Sequence, residues 1–212
     1  MTDIRQAITW AAQDAEADII SMSFGFSELN QDINDAIFQA LRVRKERILF
    51  FAAASNDGGN QDEMFPARHR YVCSVRATDH LGTFLRLNPP PPEHSDTPAF
   101  GTLGSDVPVA SLSTLPSAST EVSRSGTSFA TPIAAGIAAI VLGYARMRAQ
   151  TDATWGEGSI DLLLTERGMR FALWELSRSM GGTLRYLCAD RFVHGNDRDR
   201  DTMLRHAMLR AK

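Results

Sequence analysis

The sequence lacks several features that mark large classes of protein. It has two cysteines in 212 residues, Cys73 and Cys188, and a pair this widely separated builds neither a disulfide framework nor a structural zinc site. No stretch reaches the roughly 18 uninterrupted apolar residues of a membrane helix. Because 22 basic side chains stand against 25 acidic ones, no charge excess points to nucleic acid or to an anionic membrane. We therefore predict neither as a partner.

The beginning of the chain lacks a secretory leader. Residues 1–18 are acidic and amphipathic, without the apolar core that such a leader needs. The low cysteine content, and not this feature, favours an intracellular location.

The composition is sufficient for a globular domain, since 43% of the residues are hydrophobic. Apolar residues recur at helical spacing in residues 4–15 and 33–41, and strand-length apolar runs occupy residues 18–24, 48–55 and 71–78. Helices that alternate with buried strands predict an α/β domain whose mostly parallel sheet is covered by helices on both faces.

The later segments predict a loop and further helices. Residues 88–98 include four consecutive prolines and are expected to form a surface loop. Residues 128–148 are apolar almost all round, which is typical of a buried helix. A further helix is predicted around 169–180, ended by Gly181 and Gly182. The charged residues 198–212 are predicted to be a solvated helix or a frayed end.

Ser128 lies in the stretch SRSGTSFATPIAAG, residues 123–136, at the predicted start of the buried helix. Free backbone N–H groups and the helix dipole favour an oxyanion at such a position. Gly126 would let a substrate backbone approach closely, and Pro132 is tolerated in the first turns. The simpler alternative is that Thr127 or Ser128 is an N-cap residue.

The longer string SGTSFATPIAAG resembles the nucleophile motif of the subtilisin-like serine proteases, or subtilases. The resemblance covers about residues 3–150, as the C-terminal portion of a peptidase domain, and residues 151–198 resemble the closing helix and strand of fungal intracellular subtilases, leaving 199–212 as a charged tail. Four further segments carry the resemblance: ADIISMSFG (17–25), FFAAASNDG (50–58), FPARHRYVCSVRATD (65–79) and FGTLGSDVPVASLST (100–114).

The resemblance implies roles for particular residues. Ser128 would attack the peptide carbonyl, while its N–H and the Asn56 carboxamide would hold the oxyanion. One segment would pair with the substrate as an added strand, and small side chains opposite it would leave room for a large substrate residue. These substrate-binding residues are Ser23, Phe24 and Gly25 on one side and Ala53, Ala54 and Ser55 on the other.

Each of these positions also has an ordinary interpretation. Asn56 before Asp57 and Gly58 is typical of a turn, and Ser23 of a strand. Ser55 stands where the family more often has glycine.

No catalytic base is recognisable in the sequence. In the family an aspartate and a histidine precede the helix that resembles residues 3–16, and neither an Asp-Ser/Thr-Gly nor a His-Gly-Thr motif occurs here. Among the five histidines, His94 beside the proline run is the candidate to check. Without a base, a serine hydroxyl is a weak nucleophile.

We therefore predict a subtilase-type serine endopeptidase, acting on polypeptides, as an incomplete catalytic domain that is inactive alone. The favoured interpretation is a fragment or truncated gene model whose N-terminal strands, with the Asp and His, are missing. The alternatives are a pseudoprotease that binds peptides or a protein partner, and a separate polypeptide that supplies the missing strands. A sedolisin-type protease, which has an aspartate in the oxyanion hole, stays open through Asp57. No cofactor is predicted, although calcium is common in the family.

Overall fold

The structure is a computed structural model that describes residues 2–59, 61–91, 97–110 and 121–212. Within these ranges the strands are β1 (Ile19–Met22), β2 (Leu49–Ala53), β3 (Val72–Thr78), β4 (Ala99–Leu103), β5 (Val107–Ala110), β6 (Glu121–Arg124), β7 (Ser177–Ser179) and β8 (Leu184–Leu187). The helices are α1 (Thr2–Gln13), α2 (Gln31–Val43), α3 (Thr127–Thr151), α4 (Glu157–Leu163), α5 (Glu166–Leu176), α6 (Asp190–Val193) and α7 (Asp197–Ala211), with a 3₁₀ turn at Ala153–Trp155.

The main sheet has the order β1-β2-β3-β4-β8-β7 among the described residues. Strands β1, β2, β3, β4 and β8 are parallel to one another. Strand β7, at the edge of the sheet, pairs antiparallel with β8. A separate antiparallel pair joins β5 to β6.

Strand β2 shows why helices cover both faces of this sheet. All five of its residues are buried, and successive side chains point to opposite faces. Leu49 and Phe51 belong to the core formed with α3, whereas Phe50 and Ala52 belong to the core formed with α1 and α2. The predicted fold class, a mostly parallel sheet with helices on both faces, is confirmed.

Helix α2 has both its start and its buried face encoded locally. The Asn30 side chain caps it by accepting the Ile33 N–H at 3.2 Å. Ile33, Ile37 and Leu41, whose spacing predicted the helix, are all buried.

Helix α3 is the central helix of the fold. With 25 residues, the helix is long and apolar enough to cross a membrane. In this structure, however, it packs against β1, β2, β3 and β4 in the core. Just over half of its most apolar window is buried. Among the described residues it is the only helix that passes this test of length and composition.

The prediction that a helix continues to Met180 was wrong. Helix α5 ends at Leu176, and β7 then forms a hairpin with β8. Gly181 and Gly182 adopt φ values of +106° and +52°, a region that favours glycine. The two glycines therefore make the hairpin turn and do not end a helix.

The C-terminal helix is also less solvated than predicted. Leu204 and Ala207 of α7 are fully buried in the main core. Arg148 of α3 donates to both carboxylate oxygens of Asp201, at 3.1 and 2.8 Å, and the Tyr144 hydroxyl donates to the same side chain at 2.7 Å. A helix therefore forms here, as one of the two predictions had it, but these contacts attach it to the central helix, so it is neither fully solvated nor frayed.

The predicted proline loop is described in part. Residues 88–91 and 97–98 have no regular structure, as predicted. The buried guanidinium of Arg76 donates to the carbonyls of Pro89 and Pro90, at 3.3 and 3.0 Å. His94 and the rest of the loop, and residues 111–114 of the segment 100–114, lie outside the described residues.

Candidate active site

The predicted site residues gather at the carboxyl ends of the parallel strands. Ser23 follows β1, Asn56 follows β2, and Ser128 lies in the first turn of α3. Loops at this edge of a parallel α/β sheet are the usual location of a binding site.

The Asn56 side chain lies directly against the start of α3. Its Oδ1 accepts the Thr127 backbone N–H at 2.8 Å and the Thr127 hydroxyl at 3.1 Å. Because two donors occupy this oxygen, the amide nitrogen is the part of the carboxamide left to donate outwards. Asn56 is exposed, so this donor can reach a ligand beside Ser128. An isolated turn residue would not make this contact across the site.

Ser128 is half-buried and is not a helix cap. The N-cap of α3 is Gly126, which has no side chain to cap the helix. The simpler alternative, in which Thr127 or Ser128 is an N-cap, was therefore wrong. The Ser128 N–H belongs to the first turn, where backbone donors lack intrahelical acceptors.

A second glycine, Gly104, holds the turn before Ser128 in place. Its carbonyl accepts the Gly126 N–H at 2.8 Å. A Cβ atom added at Gly104 would lie 2.7 Å from the Ala77 Cβ and 2.8 Å from the Gly126 carbonyl oxygen. The sequence analysis missed this residue, because nothing in the chain order indicates that residues 104 and 126 meet.

The segment predicted to pair with substrate is also attached to α3. The Ser23 hydroxyl donates to the Ser128 carbonyl at 3.0 Å. Phe24 is half-buried and makes an edge contact with Phe26, with ring centroids 6.0 Å apart. Phe26 exchanges two backbone hydrogen bonds with Phe65, at 2.7 and 2.9 Å.

The opposite segment, residues 53–55, is buried. The Ala54 N–H donates to the Val75 carbonyl, and the Ala54 carbonyl accepts the Met64 N–H. Ala54 has no exposed surface. It can therefore only support the residues that line a pocket and cannot line the pocket itself. The Ser55 hydroxyl accepts the Asp57 N–H at 3.1 Å and donates to its carboxylate at 3.2 Å, which stabilises the turn without a glycine.

Met64 is a site residue that the sequence analysis did not identify. A Cβ added at Gly25 would lie 2.7 Å from the Met64 Cβ and 2.9 Å from its Sδ. Since its N–H is bonded to Ala54, Met64 lies between the two segments predicted to bound the pocket. Its side chain lies on the Gly25 side of the predicted pocket. No local pattern could have indicated this position.

No described histidine is bonded to Ser128. His69 Nδ1 accepts the Tyr71 N–H at 3.2 Å, and burial together with Arg70 lowers the pKa of His69. His194 lies 3.6 Å from Asp190, and His206 lies 3.0 Å from Glu175. His80 contributes its backbone carbonyl to the Tyr186 hydroxyl.

The structure bears on the sedolisin alternative, which depended on Asp57. It is Asn56, and not Asp57, whose side chain contacts Thr127, since the Asp57 carboxylate is bonded to Ser55. This contact favours the subtilase arrangement over the sedolisin one.

Within the described ranges, no cluster of three His, Cys, Asp or Glu side chains could hold a metal ion. The absence of a cofactor stays a prediction.

A serine at a helix start, beside a carboxamide and two segments predicted to bind substrate, is an arrangement suited to acyl transfer. The subtilase family model matches residues 1–165. Thermitase from Thermoactinomyces vulgaris is 32% identical over 150 residues, which are 68% of this chain and 47% of thermitase. A thermostable alkaline protease from Halalkalibacterium halodurans is 30% identical over 145 residues, 66% of this chain and 35% of that protein. The chain belongs to the subtilase family.

A solved structure shares the fold. A mutant of the protease domain of PatA superposes with a TM-score of 0.67 at 24% identity, covering 96% of this chain and 65% of that one. The chain spans less than half the length of the two relatives described above. The fungal subtype stays a prediction.

Proposed function

We propose that this chain forms the nucleophile and oxyanion part of a serine endopeptidase that hydrolyses polypeptides. The observation that supports this proposal best is the contact between Asn56 and Thr127. It brings a side-chain donor beside the helix start that holds Ser128, although 71 positions separate the two residues.

The proposed reaction begins with attack of the Ser128 hydroxyl oxygen on a peptide carbonyl carbon, while a general base takes the hydroxyl proton. The oxyanion accepts hydrogen bonds from the Ser128 N–H and the Asn56 amide nitrogen. The C–N bond then breaks as the protonated base returns the proton to the leaving amine. Water hydrolyses the resulting ester and regenerates Ser128.

We infer that the base comes from outside the described residues, since none of the described histidines is bonded to Ser128. We propose that an N-terminal segment of the same protein supplies the histidine and its aspartate. Loss of the histidine in subtilisin lowers kcat by about 2 × 10⁶-fold. The 212-residue chain is therefore expected to be inactive alone.

A fluorophosphonate probe tests the proposal, because it labels an activated serine. We expect no labelling of the 212-residue chain. We expect stoichiometric labelling of the product of the reading frame extended upstream of Met1. Ser128→Ala should abolish the labelling, and Ser123→Ala, at an exposed position on β6, should preserve it. An extended product that carries the Asp-Ser/Thr-Gly and His-Gly-Thr motifs and remains unlabelled would contradict the proposal.

The lack of a base among the described residues also favours a second function, which is peptide binding without cleavage. This pseudoprotease would bind peptides between residues 23–25 and Met64. Fluorescence anisotropy with a labelled peptide library would measure the binding. Saturable binding that Gly25→Val abolishes, in a protein whose extended frame lacks both motifs, would favour this function over proteolysis.

A further inference from the structure

One cavity outside the candidate active site is lined mainly by arginines. It has a volume of about 260 Å³, and Val72 at the start of β3 and Ala99 at the start of β4 form part of its wall. Ser23 and Asn56, by contrast, follow the carboxyl ends of their strands. The charged side chains that line this space, which we call the arginine cavity, are Arg68, Arg70, Arg76, Arg170 and Glu63.

Two of the four arginines have carboxylate partners. Arg76 is almost fully buried and pairs with Glu63 at 2.7 Å. Arg170 pairs with Glu166, one turn earlier on α5. Each of these pairs is neutral, so neither contributes net charge to the cavity.

The other two arginines leave the cavity with two excess positive charges. In the part of the chain that the structure describes, neither Arg68 nor Arg70 has a carboxylate partner. The Arg70 guanidinium lies over the Tyr71 ring, 4.6 Å from its centroid, and stacking of this kind leaves the N–H groups free to donate. Burial raises the pKa of the Cys73 thiol to about 12, so this neighbour stays uncharged and does not compensate the excess.

A comparison within the same molecule shows that arginine content alone does not produce such an excess. A larger cavity, of about 470 Å³, is also lined by three arginines. There, Asp18 pairs with Arg44 at 3.3 Å and with Arg146 at 2.6 Å, and Asp161 pairs with Arg47 at 3.0 Å. Every arginine of that cavity therefore has a carboxylate partner, which is what Arg68 and Arg70 lack.

We propose that the arginine cavity binds a phosphate group, either as inorganic phosphate or as a small phosphate monoester. A phosphate carries close to two negative charges near neutral pH and so matches the excess of two positive charges, whereas a single carboxylate carries only one. The planar guanidinium group donates pairs of N–H bonds that suit phosphate oxygens. The chain as a whole has a net charge of −3, so it has no general attraction for anions.

A phosphate in this cavity would connect separate parts of the fold. Arg68 and Arg70 lie in the loop before β3, Arg170 lies on α5, and Ala99 begins β4. Because the unfolded chain does not hold these residues together, the phosphate would bind only the folded state and would stabilise it. The site does not include Ser128, so its occupancy can be measured without any peptidase activity.

Titration of the 212-residue chain with sodium phosphate, O-phosphoserine or sodium acetate tests this proposal. Isothermal titration calorimetry at pH 7.5 gives the dissociation constants, and thermal unfolding is compared with sodium chloride at the same ionic strength. The variant Arg68→Gln/Arg70→Gln removes the two unpaired charges at exposed positions. The matched control, Arg47→Gln/Arg146→Gln, removes two charges at exposed positions of the other cavity.

We expect phosphate to raise the unfolding temperature above that in chloride. Its dissociation constant should increase at least about tenfold in Arg68→Gln/Arg70→Gln, because charge-assisted hydrogen bonds are lost. In the control variant it should change by less than about twofold, since screening weakens the effect of distant charges. Binding of inorganic phosphate alone would identify the free ion as the ligand, and equal or tighter binding of O-phosphoserine would identify a monoester.

Three results would overturn the proposal. The first is a calorimetric titration without saturable binding of either phosphate compound. The second is equal weakening of phosphate binding in the two double variants, which would indicate a general effect of net charge. The third is acetate binding as tight as phosphate binding, which would show that the cavity does not select a doubly charged anion.

Discussion

The carboxamide oxygen of Asn56 accepts two hydrogen bonds from Thr127, one from the backbone at 2.8 Å and one from the hydroxyl at 3.1 Å. This pair connects the end of β2 to the start of α3. It orients the Asn56 amide nitrogen away from Thr127 and fixes the helix turn that carries Ser128.

Asn56→Ala should lower the free energy of unfolding of the 212-residue chain by about 1–3 kcal/mol. Thr127 is fully buried, and its N–H would lose its acceptor. Urea denaturation measures the change. Asn34→Ala, which removes a carboxamide bonded to the adjacent Asp35, should change stability by less than about 0.5 kcal/mol. Equal effects of the two variants would show that the Thr127 contact is not stabilising.

Gly104→Ala should destabilise the chain by about 1–3 kcal/mol, because the methyl group would press on Ala77 and on the Gly126 carbonyl. Gly143→Ala is the matched control. It adds the same atom to open space on α3 and should stabilise the chain by about 0.5–1 kcal/mol through helix propensity. Thermal and urea unfolding would both detect this opposite sign. Two changes of the same sign would contradict the packing described for Gly104.

Met64→Ala should shift substrate preference towards larger side chains before the scissile bond. The change removes the side chain that lies against Gly25 and enlarges the predicted pocket. In the extended product, without the probe, the kcat/KM ratio for phenylalanine over alanine substrates should rise by about 10-fold or more. Met180→Ala, on the exposed hairpin, should leave this ratio unchanged. An unchanged ratio in Met64→Ala would place the pocket elsewhere.

Glu63→Ala should lower stability by about 3–5 kcal/mol. Arg76 is 1% exposed and pairs with Glu63 at 2.7 Å, so the change leaves a buried charge without its partner. Asp161→Ala breaks the ion pair between Asp161 and Arg47, in which both side chains are about half exposed. This change should lower stability by at most about 1 kcal/mol. Urea denaturation of both variants compares the two costs. A small effect at Glu63 would mean that the surrounding carbonyls satisfy Arg76.

Stability should fall as the pH is lowered through 6.5, in part because of His69. Burial, followed by the charge of Arg70, lowers the pKa of His69 below its ordinary value of 6.5. Between the folded and unfolded pKa values the unfolded chain binds more protons, so acid favours unfolding. Protonation of Nδ1 would also break the bond accepted from Tyr71.

Denaturation at pH 7.5 and pH 5 measures this dependence. His69→Gln should reduce the loss of stability between the two pH values, while His80→Gln, at an exposed position, should leave it unchanged. The same pH dependence in His69→Gln and in the parent chain would rule out His69 as its source.

Several elements could be predicted because their information is local. The spacing of Ile33, Ile37 and Leu41 gave helix α2, and the unbroken apolar residues of β2 indicated a strand buried on both faces. The segment around Ser128 predicted a helix start, since small residues and a short motif report on one turn of backbone. Helical and strand periodicities depend only on neighbours in the chain, which is why they can be read directly.

The pattern of apolar residues near the C-terminus was compatible with more than one structure. Met180 continues the helical spacing of α5, yet the chain turns at Gly181 and Gly182 into a hairpin. Leu204 and Ala207 stand in a highly charged segment and are nevertheless buried. A local pattern cannot decide between such outcomes, because the surface that covers a residue comes from elsewhere in the chain.

By itself, the sequence determined the α/β class of this protein, its resemblance to the subtilases and the candidate residues Ser128 and Asn56. Only the tertiary structure decided that Asn56 contacts Thr127, that Gly104 packs against Gly126, and that Met64 lies against Gly25. The physical reason is that these contacts join residues tens of positions apart. Their distances depend on how the strands and helices pack, and no local periodicity encodes that packing.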